Sequence, residues 1–201
     1  SLNIPHVEIP DVVDQLSTGQ ILVMSMLRGQ LLDEWLASEP PQEQRDTVAQ
    51  TLHDIFLKGF YELNRIHADP NPGNFLITDD QRIGLLDFGC IKRFDPIFID
   101  LYRRLIRAGR TGSRDQFYEV LAEMNLVSPD LDAGIREELV SIFMAFGQWF
   151  NGMYKPSVFD FGKNRDFIPN GKQILNQMHR YRQHFIRCNP DFVFLDRTRY
   201  G

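Results

Sequence analysis

Residues 66–77 have the sequence I-H-A-D-P-N-P-G-N-F-L-I, and this segment constrains the fold more than any other. Pro70 and Pro72 fix the backbone φ angle and remove two N–H donors, so the segment suits neither a helix interior nor a central strand. Gly73 allows a positive φ or a close backbone approach. The segment nevertheless begins and ends on apolar residues. It therefore predicts a rigid polar turn between two buried elements.

The flanking sequence predicts an α+β, mainly helical domain. Apolar residues recur every three or four positions over residues 42–65, which indicates a long core helix. Downstream, residues 75–78 and 83–88 are separated by the polar run D-D-Q-R and predict a small hairpin. Residues 31–37 predict a short helical turn, and the same helical periodicity predicts further helices at residues 96–108, 113–124, 130–150 and 172–187. Ser113 is expected to cap its helix with Gln116 in the capping-box position, and residues 151–170 are expected to form a loop.

The N-terminal residues predict strands. Residues 6–13 alternate in character and contain a proline, which is typical of a sheet edge. Residues 14–27 predict a hairpin with its turn at 17–20, where Gly19 can take a positive φ. The second strand of this hairpin, residues 21–27, begins with an apolar run on both faces, so we expect it to be buried.

Three side chains near the rigid turn carry the candidate chemistry. Asp69 and Asn74 lie in the turn, and Asp87 follows thirteen residues after Asn74. Phosphoryl transfer from a nucleotide needs one carboxylate to accept or orient the proton of the attacking group. A second carboxylate and a carboxamide oxygen can hold Mg²⁺ against the phosphates, because Mg²⁺ prefers oxygen ligands and keeps several waters. The set therefore fits a metal-and-phosphate site.

The spacing of these residues matches the protein-kinase pattern H-R-D-x-x-x-x-N followed by D-F-G. The match runs from His67 to Gly89 and fails only at the arginine, which is replaced by Ala68. The helix predicted near Pro96 follows D-F-G too closely for a phosphorylated activation loop. The arginine of the pattern normally contacts such a loop, so its replacement is consistent with the absence of the loop. The alternative is that the three polar residues only cap turns and end a strand. Six matched positions in a helix–turn–hairpin context favour phosphoryl transfer.

At H-A-D-P-N-P-G-N-F-L and L-L-D-F-G-C-I-K-R-F the chain resembles the UbiB family, the atypical protein-kinase-like group also called AarF or ADCK. The stretches I-L-V-M-S-M-L-R-G and F-L-D-R-T resemble the last N-lobe strand with the hinge, and the helical tail, of that family. The resemblance implies a protein-kinase-like fold, in which residues 1–29 are a remnant N-lobe hairpin with the hinge and residues 30–201 are the helical C-lobe. It also implies ATP and Mg²⁺ as cofactors, kinase or ATPase activity, and a link to ubiquinone or other prenyl-lipid metabolism.

The resemblance assigns roles to individual residues. Asp69 is implied as the catalytic aspartate, and Asn74 and Asp87 are implied as the Mg²⁺ ligands. The residues implied to bind the nucleotide are Met24 as gatekeeper, Ser25, Met26 and Leu27 as the adenine hinge, and Leu76 beneath the adenine. The residues that we expect to support the loop are His67, Pro70, Asn71, Gly73, Phe88 and Gly89. His67 is expected to brace the loop through hydrogen bonds rather than to transfer protons.

The chain departs from the family pattern upstream of the hinge. The family carries a K-x-G-Q motif, a nucleotide loop and a phosphate-binding lysine there, whereas the first lysine of this chain is Lys58, inside the long helix. Both ends look cut, and we expect the chain to be part of a longer protein. Charge-assisted contacts from a lysine are worth roughly 1.5–3 kcal/mol each. We therefore expect the isolated chain to bind Mg²⁺-nucleotide poorly and to turn it over negligibly.

Two other functions stay open, namely a small-molecule phosphotransferase of the aminoglycoside or choline kinase type and a non-catalytic pseudokinase scaffold. The net charge of −5 argues against nucleic acid as a partner. The sequence shows no signal peptide and no long apolar run. We therefore expect a protein that is not secreted and lies on the cytoplasmic or matrix side. Cys90 and Cys188 are expected to be reduced thiols.

Two surfaces carry alternatives for partners. The basic residues of the last predicted helix are expected to form a solvated face, with peripheral contact to anionic membrane headgroups as the alternative; they are Lys172, His179, Arg180, Arg182, His184 and Arg187. The aromatic residues Trp149, Phe150, Phe159 and Phe161 are expected to be core anchors, with a port for a prenyl lipid or quinone precursor as the alternative.

Overall fold

The computed structural model describes residues 4–184 and 190–200, with the backbone alone at residues 196, 199 and 200. The chain forms two compact units, one of Ser1–Asp95 with Asp191–Gly201 and the other of Pro96–Pro190. The predicted division into an N-lobe remnant, residues 1–29, and a C-lobe, residues 30–201, stays a prediction.

A four-stranded sheet organises the first unit. Its strands lie in the order β1 (Val7–Glu8), β5 (Ile83–Leu85), β4 (Phe75–Thr78) and β2 (Gly29–Leu31). Strands β4 and β5 form the predicted hairpin, and β2 pairs antiparallel with β4. Strand β1 runs parallel to β5 at the sheet edge, where the alternating residues 6–13 predicted a strand.

Two predicted helices, α1 (Leu32–Ala37) and α2 (Gln42–Leu63), are confirmed. They form one core cluster with the sheet, and its buried members are Trp35, Val48, Ile77, Ile83 and Leu85. Helix α2 ends at Asn64, which takes a left-handed conformation with φ 55° and donates its N–H to the Gly59 carbonyl. This tight end turns the chain directly into the strand that precedes the rigid turn.

A second sheet of two strands was not predicted from the sequence. Strand β3 (Arg65–His67) pairs antiparallel with β6 (Ile91–Arg93), so that His67 lies opposite Ile91. Phe60 of α2 and Phe94, just after β6, pack edge to face with ring centroids 5.0 Å apart. Helix α7 (Pro190–Tyr200) contributes to the same unit.

The prediction that residues 21–27 form a buried strand was wrong. Residues 11–25 do form a hairpin ribbon, with a bridge between Val12 and Met24 and a hydrogen bond from the Val13 N–H to the Val23 carbonyl. Its first arm differs from the prediction, because Asp14–Leu16 form a 3-10 turn rather than a strand. The apolar side chains of the second arm are nevertheless largely exposed, at 60% for Ile21 and 87% for Met26. Among the described residues no third strand pairs with this arm, so most of its apolar side chains stay open to solvent.

The second unit is helical, with α3 (Pro96–Thr111), α4 (Arg114–Glu123), α5 (Ala133–Gly152) and α6 (Phe167–Arg180). The four predicted helices are present, but α6 begins five residues before its predicted start and inside the predicted loop. Ser113 lies at the N-cap position of α4 as predicted, but within the described chain its side chain accepts no capping hydrogen bond. Arg187, at the predicted end of the last helix, lies outside the described residues.

An aromatic cluster explains the early start of α6. The Trp149 and Phe167 rings stack with centroids 4.7 Å apart, and Trp149 Nε1 donates to the Phe167 carbonyl at 2.7 Å. Phe159 packs on Phe167 and on Phe161, at 5.0 Å and 4.9 Å between centroids. These contacts and the burial of Phe150 confirm the packing role predicted for Trp149, Phe150 and Phe159. Phe161 is 56% exposed, so its prediction as a core anchor was wrong.

None of the described helices combines the length and apolar character needed to cross a bilayer. Cys90 is a free, half-buried thiol, and Cys188 lies outside the described residues.

Candidate active site

The rigid turn is a short 3-10 turn at Pro72–Asn74 whose geometry is held from within the loop. The Asn71 side-chain oxygen Oδ1 accepts the Gly73 N–H at 3.0 Å, and the Asn71 carbonyl accepts the Asn74 N–H at 2.9 Å. Because Pro70 and Pro72 also fix φ, the path of the backbone from Asp69 to Asn74 is closely restricted.

The loop lies beside the D-F-G segment and is joined to it at three points. The Ala68 N–H donates to the Cys90 carbonyl at 2.8 Å, and the Leu86 N–H donates to the Asn74 carbonyl at 3.1 Å. The third bond joins His67 Nε2 to the Asp87 carbonyl. Since a carbonyl only accepts, this contact places the imidazole proton on Nε2. The two segments thus run side by side from residue 67 to residue 74.

The polar side chains of the loop meet directly. Asn74 donates through Nδ2 to Asp69 Oδ2 at 2.9 Å and to the Asp69 carbonyl at 3.3 Å. The Asp87 carboxylate is exposed, and its Oδ1 accepts the Gly89 N–H at 2.6 Å. The structure therefore brings Asp69 and Asn74 into contact, and it brings the backbone of Asp87 to the loop through His67.

This donor set suits a hard cation with a partly open coordination sphere. Asn74 binds Asp69 through its nitrogen, so its oxygen Oδ1 is the atom available to a metal, and Asp87 adds a carboxylate oxygen. In the described part of the chain no three His, Cys, Asp or Glu side chains group closely enough to hold an ion by themselves. Mg²⁺ bound with a nucleotide needs only one or two carboxylates, because phosphate and water supply the rest.

Two aromatic rings flank His67. The centroid of its imidazole lies 5.7 Å from that of Phe75 and 6.4 Å from that of Phe88, the latter in an edge arrangement. His67 Nδ1 is buried and has no hydrogen-bond partner among the described residues. The ring is therefore held by Asp87 on one side and by apolar packing on the other.

The residues predicted to bind adenine fall into two groups. Leu27 and Leu76 come together over Gly84, where an added Cβ would lie 2.8 Å from Leu27 Cδ1 and 3.3 Å from Leu76 Cβ. In contrast, Met24, Ser25 and Met26 lie on the exposed ribbon, and within the described chain no hydrogen bond or ion pair joins them to the loop.

Ser25 is engaged in the ribbon itself. Its N–H donates to the Asp11 carbonyl at 2.8 Å, and its Oγ accepts the Asp11 N–H at 2.9 Å. The hinge segment reaches the site through β2, where Leu31 lies opposite Leu76. The structure thus places Leu27 and Leu76 against the same residue, Gly84, with Leu76 itself buried.

One group of residues at the site was missed by the sequence reasoning. Arg197 of α7 places Nη2 at 3.4 Å from Asp69 Oδ1. Thr198 Oγ1 donates to the Phe194 carbonyl of its own helix at 3.0 Å and lies 3.5 Å from the His67 carbonyl oxygen. These residues belong to the stretch F-L-D-R-T that resembles the family's helical tail. The resemblance was the only feature of the sequence that could have pointed to a role for these residues at the site. No local pattern could do so, because 128 residues separate Arg197 from Asp69.

The fold is α+β and protein-kinase-like. Residues 2–121 match the family model described as "ABC1 atypical kinase-like domain". The chain therefore belongs to the ABC1 atypical kinase-like family, which confirms the resemblance to the UbiB, AarF and ADCK group.

Curated relatives agree with this assignment. The chain is 26% identical over 147 residues to the mitochondrial atypical kinase coq-8 of Caenorhabditis elegans, covering 71% of this chain and 19% of that protein. It is 25% identical over 158 residues to the mitochondrial atypical kinase COQ8 of Saccharomyces cerevisiae, covering 78% of this chain and 31% of that protein. The chain thus spans less than a third of the length of either relative.

A solved structure shares the fold. A Mycobacterium tuberculosis protein, determined in complex with erythromycin, superposes with a TM-score of 0.55 at 22% identity, covering 78% of this chain and 42% of that one. The identity is low enough that this similarity concerns the fold alone. The family assignment also separates the chain from the aminoglycoside and choline kinase type, so that alternative is set aside.

Proposed function

We propose that this chain carries the phosphoryl-transfer site of an Mg²⁺-ATP-dependent atypical kinase or ATPase. The observation that carries the proposal is the 2.9 Å hydrogen bond between Asn74 Nδ2 and Asp69 Oδ2, in a loop that is itself hydrogen-bonded to the Asp87 segment. Membership of the atypical kinase-like family supports the reaction class.

The proposal assigns a different task to each polar side chain. Asp69 accepts or orients the proton of the attacking hydroxyl or water, and Asn74 keeps its carboxylate directed. Asn74 Oδ1 and the Asp87 carboxylate would hold Mg²⁺, which supplies positive charge against the phosphates when it is bound. His67 holds the Asp87 backbone, and the prolines limit movement of the loop to the scale that such sites require.

Leu27 and Leu76, which both pack against Gly84, would line the adenine site. Flat apolar contact of this kind is the usual lining of a nucleotide pocket. The exposed ribbon that carries Met24 and Met26 gives little shelter, and the first lysine of the chain lies in α2. We therefore propose that nucleotide binding by this chain alone is weak, while the complete protein binds it well.

The pathway and location follow from the family resemblance. We propose that the complete protein supports ubiquinone or other prenyl-lipid metabolism and acts on the matrix or cytoplasmic side, in peripheral contact with a membrane. Two of its relatives are named as mitochondrial atypical kinases. Its partners would then be a nucleotide and a prenyl-lipid or quinone precursor.

Steady-state ATP hydrolysis by the complete protein tests the proposal. We expect Asp87→Asn to lower kcat by about 10²–10³, the usual cost of removing one group that stabilises developing charge. Asp79→Asn is the matched control, because Asp79 is exposed in the turn between β4 and β5 and the same atoms change. Removal of Mg²⁺ with EDTA should abolish activity in the parent and in Asp79→Asn.

Equal hydrolysis rates in Asp87→Asn and the parent would instead favour the pseudokinase scaffold. A thermal-shift titration with Mg²⁺-ATP completes the test. The complete protein should be stabilised by nucleotide, and this chain alone should shift little. A large shift for the short chain would contradict the expected weak binding.

A further inference from the structure

Helix α7 reaches the candidate active site from the far end of the chain. It touches the loop twice, with Arg197 Nη2 at 3.4 Å from Asp69 Oδ1 and Thr198 Oγ1 at 3.5 Å from the His67 carbonyl. Both contacts are made by adjacent residues in the last turns of the helix. One face of α7 is therefore directed at the loop that holds the proposed catalytic aspartate.

The other end of α7 is fixed to the strand pair beneath the loop. Lys92 of β6 forms an ion pair with Asp191 at 2.6 Å, and both side chains are largely shielded, at 25% and 19% exposed. Lys92 Nζ also lies over the rings of Phe94 and Phe194, at 5.6 Å and 5.3 Å from their centroids. Such contacts strengthen when they are shielded from water.

Further packing holds the helix between its ends. Leu195 of α7 is fully buried, and Lys92 lies opposite Ile66 in the ladder whose next residue is His67. The backbone of α7 is thus set against the same ladder that leads into the loop. Arg197 is consequently presented to Asp69 by a fixed element rather than by a free tail.

Arg197 supplies a positive charge beside a loop that contains no lysine or arginine of its own. The residue before Asp69 is Ala68, which is fully buried, at the position where the kinase pattern carries an arginine. Each oxygen of the Asp69 carboxylate then has its own partner, with Oδ2 facing Asn74 and Oδ1 facing Arg197. One partner comes from the loop and the other from α7.

We propose that Arg197 is a positioning residue that directs the Asp69 carboxylate during phosphoryl transfer, an inference that rests on the function proposed above. A guanidinium stays charged at every working pH and offers directed N–H donors. Arg197 is 57% exposed and reaches Asp69 at 3.4 Å, so water screens the pair. Its contribution is therefore orientation of the carboxylate rather than tight binding, and it does not contact the nucleotide.

Kinetics of the complete protein provide the first test. We expect Arg197→Gln to lower kcat for ATP hydrolysis by about three- to tenfold and to leave KM for ATP within about twofold, since an interaction that acts on the aspartate affects the chemical step. Arg197→Lys should recover part of kcat. Arg65→Gln, the same change at an exposed residue of β3, should match the parent.

Non-additivity separates positioning from a general loss of packing. In an Asp69→Asn background, Arg197→Gln should cause no further loss of kcat, because the group on which it acts has already been altered. A kcat unchanged or raised by Arg197→Gln would overturn the proposal. So would a higher KM at constant kcat, which would place Arg197 at the nucleotide.

Hydrogen exchange supplies a readout that needs no turnover. Arg197→Gln and Asp69→Asn should each speed exchange of the α7 amides by about 1.5- to fivefold, the range expected for an exposed ion pair, and the double variant should exceed neither. If Asp69→Asn leaves α7 exchange unchanged, the contact is absent and the inference fails even in an active enzyme. If the parent shows the exchange coupling but no ATP hydrolysis, the proposed function fails while the contact stands.

Discussion

Gly29 is a position where even the single methyl group of alanine should displace a strand of the sheet beside the site. It opens β2 directly after the hinge, and a Cβ there would lie 2.1 Å from the Ile77 carbonyl oxygen, 2.7 Å from the Ile77 carbonyl carbon and 2.8 Å from Thr78 Cα. All three atoms belong to the backbone of β4, so no side-chain rotation can relieve the clash. Gly29→Ala must therefore move β2 away from β4.

The expected loss has two parts. Overpacking of this kind costs about 1–3 kcal/mol, and displacement of β2 weakens one or two backbone hydrogen bonds worth about 1 kcal/mol each. We expect Gly29→Ala to lower the free energy of unfolding of this unit by about 2–5 kcal/mol. The displacement would also separate the hinge from Leu76, which lies opposite Leu31 in the same strand pair.

Urea denaturation followed by tryptophan fluorescence measures this loss. Trp35 is a suitable probe because it is buried in the same core cluster as Ile77. Hydrogen exchange of the β2 and β4 amides then assigns the loss to this sheet. Gly19→Ala is the matched control, since no atom lies within 4 Å of its added Cβ, and its stability should be unchanged or raised by up to about 1 kcal/mol. Equal stabilities of Gly29→Ala and the parent would refute the reasoning.

Two further predictions concern single polar contacts. Thr78 is buried. Its Oγ1 accepts the Arg82 N–H at 2.9 Å and donates to Asp80 Oδ1 at 2.6 Å. Thr78→Val should therefore lower the free energy of unfolding by about 1–3 kcal/mol in urea, whereas Thr78→Ser should retain most of it. The second concerns the exposed Arg104–Glu123 pair, which is joined by two hydrogen bonds at 2.6 Å and 2.7 Å. The side-chain hydrogen bonds from Arg104 hold the pKa of Glu123 below its ordinary value of 4.5, so the pair stabilises the fold above that pH. The stability advantage of the parent over Glu123→Gln should be present at pH 7 and vanish as the pH falls through the lowered pKa; an advantage that persists at pH 2 would contradict this origin.

The candidate site could be located from the sequence because its constraints are local. The two prolines, the Asn71 side chain that accepts the Gly73 N–H, and the spacing of Asp69 and Asn74 all act within a few residues. Helix α2 and the β4–β5 hairpin were predicted for the same reason, since each follows a repeating pattern of apolar residues. These features also carried the family resemblance.

Burial and long-range pairing could not be predicted in this way. The run from Ile21 to Met24 has the composition of a buried strand, yet burial depends on which elements lie against it, and Ile21 is 60% exposed. The segment near Pro169 has the composition of a loop, yet α6 begins at Phe167 because the Trp149 ring stacks on it.

The sequence by itself determined most of the helices, the rigid turn, the identity of the candidate catalytic groups and the family. Only the tertiary structure decided that β3 pairs with β6 and that Arg197 faces Asp69 across 128 residues. The physical reason is that backbone stereochemistry and hydrophobic periodicity are properties of neighbouring residues. A contact between distant residues depends instead on the whole path of the chain, which no local pattern specifies.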